Sequence, residues 1–92
     1  MSALSSQDAN ARVRNLAGWQ IESGELTKTF SFKDFLSAID FVNQIAKIAE
    51  GAGHHPDIDI RYNKVRIALV THDAGGLTEK DFELAGGIEK LA

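Results

Sequence analysis

The clearest pattern of apolar and polar positions lies between residues 57 and 69. Two consecutive runs place an apolar side chain at every second position, which is typical of half-buried strands. We therefore predict one strand over residues 57–62 and a second that begins at residue 65. The apolar face of this pair consists of Ile58, Ile60, Tyr62, Val65, Ile67 and Leu69.

The short connection between these strands predicts their register. Asn63 and Lys64 separate the two runs, and Asn63 tolerates the positive φ angle that a two-residue hairpin loop requires. With that loop, every opposed pair on one face is apolar. The same register sets His55 directly opposite His72, so two imidazoles that are distant in sequence are expected to be cross-strand neighbours.

Short helices are predicted near both ends of the chain. Ser5 or Ser6 can cap a helix over residues 6–17, whose apolar stripe is thin. Near the other end, Thr78 can cap a final helix, and Asp81 stands three residues later as in a capping box. The apolar face of that final helix contains Leu84, Ile88 and Leu91.

The strongest helical period spans residues 32–49. Apolar residues recur there at spacings of four and three, namely Phe35, Ile39, Val42, Ala46 and Ala49. We expect that stripe to cover the sheet. A second group widens the apolar face: Ala38, Phe41, Ile45 and Ile48. Two interpretations have equal weight: the helix is deeply buried in its own subunit, or Phe41 and Ile48 form a subunit interface. If they form an interface, Phe41→Glu should dissociate the oligomer.

The order of these elements predicts the fold class. Strands over residues 19–22 and 26–31 flank the turn signal Ser23-Gly24 and complete the set. The order is then α-β-β-α-β-β-α, which predicts an α+β domain over residues 1–92. We expect a four-stranded antiparallel sheet with helices packed on one face.

Composition narrows the classes of function. A net charge of −3 argues against direct nucleic-acid binding and against an acidic membrane surface, and no apolar run is long enough to span a bilayer. The absence of cysteine excludes disulfide and thiol chemistry. The first residues lack the features of a signal peptide, so we expect a cytoplasmic protein.

All three histidines of the chain lie between residues 54 and 72. An imidazole with an ordinary pKa of about 6.5 can give or take a proton near neutral pH, so His54, His55 and His72 suit acid–base catalysis. Metal binding is the rival interpretation, but the spacing does not resemble a zinc pattern. Structural histidines are a third alternative, although less favoured for three residues than for one. Pro56 stiffens the segment directly after the pair.

These residues resemble the pterin-4a-carbinolamine dehydratase family. Its signature is an acidic residue, His-His-Pro, an aromatic residue, a further histidine and a later aspartate, and this chain matches it with Glu50, His54, His55, Pro56, Tyr62, His72 and Asp81. The resemblance extends from about residue 18 to residue 91. The chain has Gly53 and Ile58 where many members have Asp and an aromatic residue.

The resemblance implies an enzyme that dehydrates 4a-hydroxytetrahydropterin to quinonoid dihydropterin and so recycles the pterin of aromatic amino acid hydroxylases. It implies no cofactor and no metal, with His54 and His72 as acids and His55 binding the ring and assisting deprotonation. It also implies that Glu50, Pro56 and the segment Thr71, His72, Asp73 and Ala74 bind the substrate.

Two further properties follow from the family. Its members are dimers or tetramers, so a homodimer or homotetramer is expected. Some proteins of this kind act instead as binding modules, either as a transcriptional coactivator or as an assembly factor, and that role is the alternative to the enzyme.

Overall fold

The computed structural model describes residues 2–92 and confirms the predicted order of elements. The four strands form one open antiparallel sheet in the order β1-β2-β4-β3, as expected for the α+β class. The elements are α1 Ser6–Val13, β1 Gln20–Glu22, β2 Glu25–Ser31, α2 Phe35–Ala52, β3 Asp57–Arg61, β4 Lys64–Leu69 and α3 Glu79–Leu91, with a short 3₁₀ turn at His72–Ala74.

The first hairpin has the predicted turn. Ser23 and Gly24 form its two-residue loop, with φ angles of 51° and 78°, and Glu22 pairs with Glu25 across it. Positive φ at both loop residues matches the twist of the flanking strands. The prediction for this connection is confirmed.

The predicted register of the second hairpin is wrong by two residues. Arg61 pairs with Lys64, so the loop consists of Tyr62 and Asn63, and Tyr62 takes the positive φ angle of 54°. Asn63 fixes this choice because its backbone carbonyl accepts a hydrogen bond from the Phe32 backbone N–H at 2.9 Å, and its side-chain amide donates to the Phe32 carbonyl at 2.8 Å. Consequently His55 and His72 are not a cross-strand pair.

The side of α2 that faces the sheet also differs from the prediction. Phe41 is 3% exposed, and its ring centroid lies 4.9 Å from the centroids of both Phe30 and Phe32. Phe35, which was expected in the core, is instead 46% exposed. The interface assignment of Phe41 is therefore wrong, and Phe41→Glu would place a carboxylate in the core of the subunit.

The ends of the helices show local differences from the sequence pattern. Helix α1 stops at Val13 rather than at residue 17, because the chain continues through i→i+3 turns, such as Leu16 N–H to the Val13 carbonyl at 3.0 Å. Helix α2 begins after Asp34, which caps it by accepting from the Ser37 N–H. At α3 the predicted capping box is present. No helix within residues 2–92 has the length and apolar character needed to cross a bilayer.

Candidate active site

The two adjacent histidines directly follow the end of α2. Gly53 terminates the helix in the left-handed conformation, with φ 65°, and glycine adopts this conformation without the steric cost of a Cβ. The His54 backbone N–H still donates to the Ala49 carbonyl at 3.2 Å, which ties the segment to the last helical turn. The chain then enters β3 at Asp57, past Pro56.

The third histidine lies on the short turn that follows β4. Thr71 and Gly76 form an isolated antiparallel bridge, with N–H to carbonyl distances of 3.2 and 3.3 Å, and the bridge closes the loop between them. His72 is the first residue of the 3₁₀ turn inside that loop, and Gly75 ends the turn with φ 75°. This turn lies between the end of β4 and the start of α3.

The structure brings all three histidines to one cavity. The cavity has a volume of about 310 Å³, near the lower end of the range for small-molecule sites. It is lined by Gly53, His54, His55, Val70, Thr71, His72, Asp73 and Lys80. The expected convergence of the histidines is present, although it arises from the ends of two strands rather than from a cross-strand pair.

His54 is held by a buried carboxylate. Its side chain is 12% exposed, and its Nε2 lies 2.6 Å from Oδ1 of Asp81, whose side chain is 0% exposed. The other oxygen, Oδ2, accepts from the Thr71 hydroxyl at 2.8 Å and from the Thr78 backbone N–H at 2.9 Å. Both carboxylate oxygens therefore have partners, as a buried carboxylate requires.

The donors in this network can be assigned from the chemistry of the partners. An ionised carboxylate only accepts, so His54 carries its proton on Nε2 and Thr71 donates to Asp81. The hydroxyl oxygens of Thr71 and Thr78 lie 2.8 Å apart, and the Thr71 proton is already committed. Thr78 therefore donates to Thr71. The free nitrogen of His54 is Nδ1.

His55 and His72 are far less constrained. The His55 side chain is 65% exposed, and its Nε2 lies 2.7 Å from Oε1 of Glu50, which is itself largely exposed. By the same reasoning, His55 donates from Nε2 and has Nδ1 free. His72 is exposed, and its side chain makes no hydrogen bond to residues 2–92.

The predicted site residues separate into two groups. Five of them line the cavity: His54, His55, Thr71, His72 and Asp73. Glu50 reaches the site only through His55, and Pro56 and Ala74 are not lining residues. The Thr71 hydroxyl, expected near the substrate, is directed to Asp81 and Thr78.

Sequence reasoning did not include Gly53, Val70, Lys80 and Asp81 among the site residues. Val70 and Lys80 line the cavity, and nothing in the sequence separates them from ordinary strand and helix-surface residues. Asp81 was recognised as a helix cap and as a signature position, but its contact with His54 was not predicted. The one sequence signal that could have placed Asp81 in the site was its position in the family signature. Within residues 2–92, no group of three or more His, Asp or Glu side chains is arranged to hold a metal ion.

Comparison with known proteins identifies the family. The model of the family described as "Pterin 4 alpha carbinolamine dehydratase" matches residues 2–91. The chain belongs to this family. A protein of Acidobacterium capsulatum named "Putative pterin-4-alpha-carbinolamine dehydratase" is 54% identical over 91 residues, a match that covers 99% of both chains.

Two solved structures resemble the chain. A protein described as a transcriptional coactivator/pterin dehydratase from Brucella melitensis is 36% identical, with a TM-score of 0.95 over 99% of both chains. A pterin dehydratase-like protein described as a RuBisCO assembly factor in the alpha-carboxysome is 27% identical, with a TM-score of 0.66 over 80% of this chain and 86% of its own. Proteins of similar structure therefore include one described as a coactivator and one described as an assembly factor.

Proposed function

We propose that this protein is a dehydratase that removes water from a 4a-hydroxytetrahydropterin and yields quinonoid dihydropterin. The observation that carries the proposal is the convergence of three imidazoles on one cavity, one of them oriented by a buried carboxylate. Membership of the family supplies the substrate class. In this role the protein recycles the pterin of an aromatic amino acid hydroxylase.

The reaction needs one proton donor and one proton acceptor. The hydroxyl on carbon 4a leaves as water once it is protonated. The neighbouring ring nitrogen, N5, loses its proton, and its electron pair forms the new C=N bond. Atoms and charge balance with water as the only other product, so side chains that exchange protons near neutral pH suffice.

The environments of the histidines support a division of roles. His54 and His72 act as acids toward the leaving hydroxyl. Since Asp81 engages Nε2 of His54, the atom that donates a proton to the substrate is Nδ1, and the ring carries a proton on both nitrogens when it does so. His55 binds the ring and assists removal of the N5 proton, and Glu50 orients it through Nε2.

The loop after β4 supplies the remaining contacts to the ring. Thr71 and Asp73 line the cavity, and the bridge between Thr71 and Gly76 fixes the course of the loop. We place the polar edge of the pterin against the segment from Thr71 to Ala74. Pro56 acts indirectly, by stiffening the backbone beside His55.

Hydroxylase-coupled kinetics test this function. Purified wild-type protein should accelerate formation of quinonoid dihydropterin above the spontaneous rate, and a metal chelator should leave that acceleration unchanged. Replacing His54, His55 and His72 together by Ala should abolish it. Acceleration by the triple variant equal to that of the wild type would refute the proposed site.

We also propose that the protein forms a homodimer or homotetramer. Large apolar side chains remain exposed at the start of α2 and in the loop that follows the edge strand β3, including Leu36 at 77% and Tyr62 at 67% exposure. Such residues favour contact with another subunit. Light scattering should give at least twice the subunit mass, and Leu36→Glu should lower it. A monomeric wild type would contradict the proposal.

Protein binding is the second candidate function. It is favoured by the two solved relatives, whose descriptions name a coactivator and an assembly factor. The intact set of His54, His55 and His72 favours the enzyme, since a binding module does not need three imidazoles on a cavity. A protein that binds pterin but fails the kinetic assay would favour the alternative.

A further inference from the structure

A second cavity adjoins the histidine cavity and is about twice as large. It has a volume of about 630 Å³ and forms a groove between α2 and α3. His54 and Lys80 line both cavities, so the two share part of a wall. A molecule in the histidine cavity therefore lies directly beside the groove, with His54 and Lys80 at the boundary between them.

The inner walls of the groove are apolar. Ile48 of α2 faces Leu84 and Leu91 of α3, and Gly87 lies between the helices. The absence of a side chain at Gly87 keeps this space open, because a Cβ there would lie 3.3 Å from Cδ1 of Ile48. These walls suit a flat apolar group, which gains affinity by losing contact with water.

The rim of the groove has a net positive charge. Lys80, Lys90 and Glu83 line it, giving two cations and one anion. An apolar walled groove with a cationic rim fits a ligand segment that is apolar along its length and anionic at its end. A second copy of the chain fits less well, since a two-fold contact would bring two positive rims together.

We propose that this groove binds the substituent on carbon 6 of the pterin and favours one with an aryl segment that ends in carboxylates. The inference rests on the proposed function, because it needs the pterin ring in the histidine cavity. Carbon 6 takes no part in the loss of water, so the groove sets substrate preference and leaves the proton transfers to the histidines.

Isothermal titration with two dihydropterins tests the groove directly. The probes are 6-methyl-7,8-dihydropterin, which has no tail, and 7,8-dihydrofolate, whose tail is an aryl amide that ends in a glutamate. Wild-type protein should bind dihydrofolate about tenfold more tightly or better, because the tail adds apolar burial and a charge contact. That preference should weaken as salt is raised.

Substitution at Lys90 locates the effect. Lys90→Glu should reduce the preference to about twofold and leave the affinity for the methyl compound unchanged. Lys90→Gln repeats the test with less disturbance, since a carboxylate in the last turn of α3 opposes the helix dipole. The matched control is Lys47→Glu, which makes the same charge change on an exposed part of α2 outside the groove.

The possible outcomes separate the two proposals. Equal affinity of wild-type protein for both probes, or an equal loss of preference in the Lys47 and Lys90 variants, would overturn the groove assignment. The groove assignment would also be overturned if Lys90→Glu had a lower mass than wild type by light scattering, because that result would show that a second copy of the chain covers the groove. Failure to bind either pterin would instead refute the proposed function.

Discussion

His54 and His55 are neighbours in sequence and face opposite environments. The His54 side chain is nearly enclosed and bonded to a fully buried carboxylate, whereas His55 is largely exposed and meets an exposed one. The divergence follows from their partners, because the two rings bond to carboxylates on different helices. One imidazole is turned toward α3 and the other toward the end of α2.

The difference indicates how the site combines rigidity with access. Asp81 already holds His54 in one orientation, so no ordering of this ring is needed when a substrate enters. His55 retains freedom to adjust and loses some of it on binding. Removal of each partner should therefore affect stability and turnover to different extents.

The largest combined effect is expected for Asp81→Ala. The substitution leaves the buried Thr78 N–H and the His54 Nε2–H without acceptors and removes half of the capping box. We expect the free energy of unfolding to fall by about 3 kcal/mol. Turnover of the folded fraction should fall about tenfold, since general acid–base groups contribute 10²- to 10⁴-fold and one of two acids loses the contact that orients it. Urea unfolding and the coupled assay measure the two effects.

Asp81→Asn separates the cap from the orientation of His54. The amide oxygen can still accept from Thr78, but its NH₂ group would face Nε2 of His54, and no carboxylate would remain to pair with the doubly protonated ring that donates from Nδ1. Turnover should fall with a smaller loss of stability than in the Ala variant. Wild-type turnover in Asp81→Asn would show that the negative charge of Asp81 does not assist His54.

The second effect concerns the exposed histidine. His55→Ala should lower turnover by about 10²-fold, because a base is lost, while urea unfolding stays near wild type. His72→Ala should cost less, since His54 can substitute in part as the acid. Lys47→Ala is the matched surface control. Full activity of His55→Ala would remove the proposed mechanism.

A smaller effect is expected one step further from the cavity. Thr71→Val removes one of the two donors to Oδ2 of Asp81 and the acceptor of the Thr78 hydroxyl. The expected cost is about 1 to 2 kcal/mol in the free energy of unfolding. Turnover should fall only a few-fold. Thr71→Ser should have the stability and the turnover of the wild type. If it does not, the methyl group of Thr71 matters rather than its hydroxyl.

The smallest effect contrasts the buried Asp81 with an exposed carboxylate in the same helical turn. Glu79 of α3 forms a bidentate ion pair with Arg12 of α1, and the hydrogen bonds from Arg12 lower the pKa of Glu79 below its ordinary value of 4.5. The stabilisation is therefore present above pH 4.5 and is lost as the pH falls through the lowered pKa.

Acid titration of the urea midpoint measures that contribution. Glu79→Gln should lower the midpoint slightly at pH 6, and the difference from wild type should vanish at low pH. The difference in midpoint should be small because the ion pair is exposed to solvent. A difference that persists at low pH would mean that Glu79 acts through packing rather than through its charge.

The alternation of the strands could predict faces but not register. Moving the second hairpin loop from Asn63-Lys64 to Tyr62-Asn63 shifts each pairing by two positions, so every side chain keeps its face. Both registers therefore satisfy the same pattern. The choice depends on the contacts of Asn63 with Phe32, which come from a distant part of the chain.

The orientation of α2 was underdetermined for a similar reason. Apolar residues cover about half of its circumference, so periodicity cannot decide which side meets the sheet. The aromatic rings of Phe30 and Phe32 select Phe41. In the site, the three histidines were predictable from their chemistry, whereas the bond between His54 and Asp81 spans 27 positions and depends on how α3 docks.

Asp81 both caps α3 and bonds to His54, and this double role has an evolutionary consequence. The same carboxylate caps α3 and bonds to a histidine, so a descendant of this chain that had lost pterin chemistry would still be less stable without an acceptor at this position. His55 and His72 are exposed, and neither side chain bonds to a buried group in the described part of the chain. Among divergent relatives, loss of those two histidines should therefore mark the loss of catalysis, while survival of the aspartate should mark only the inheritance of the fold.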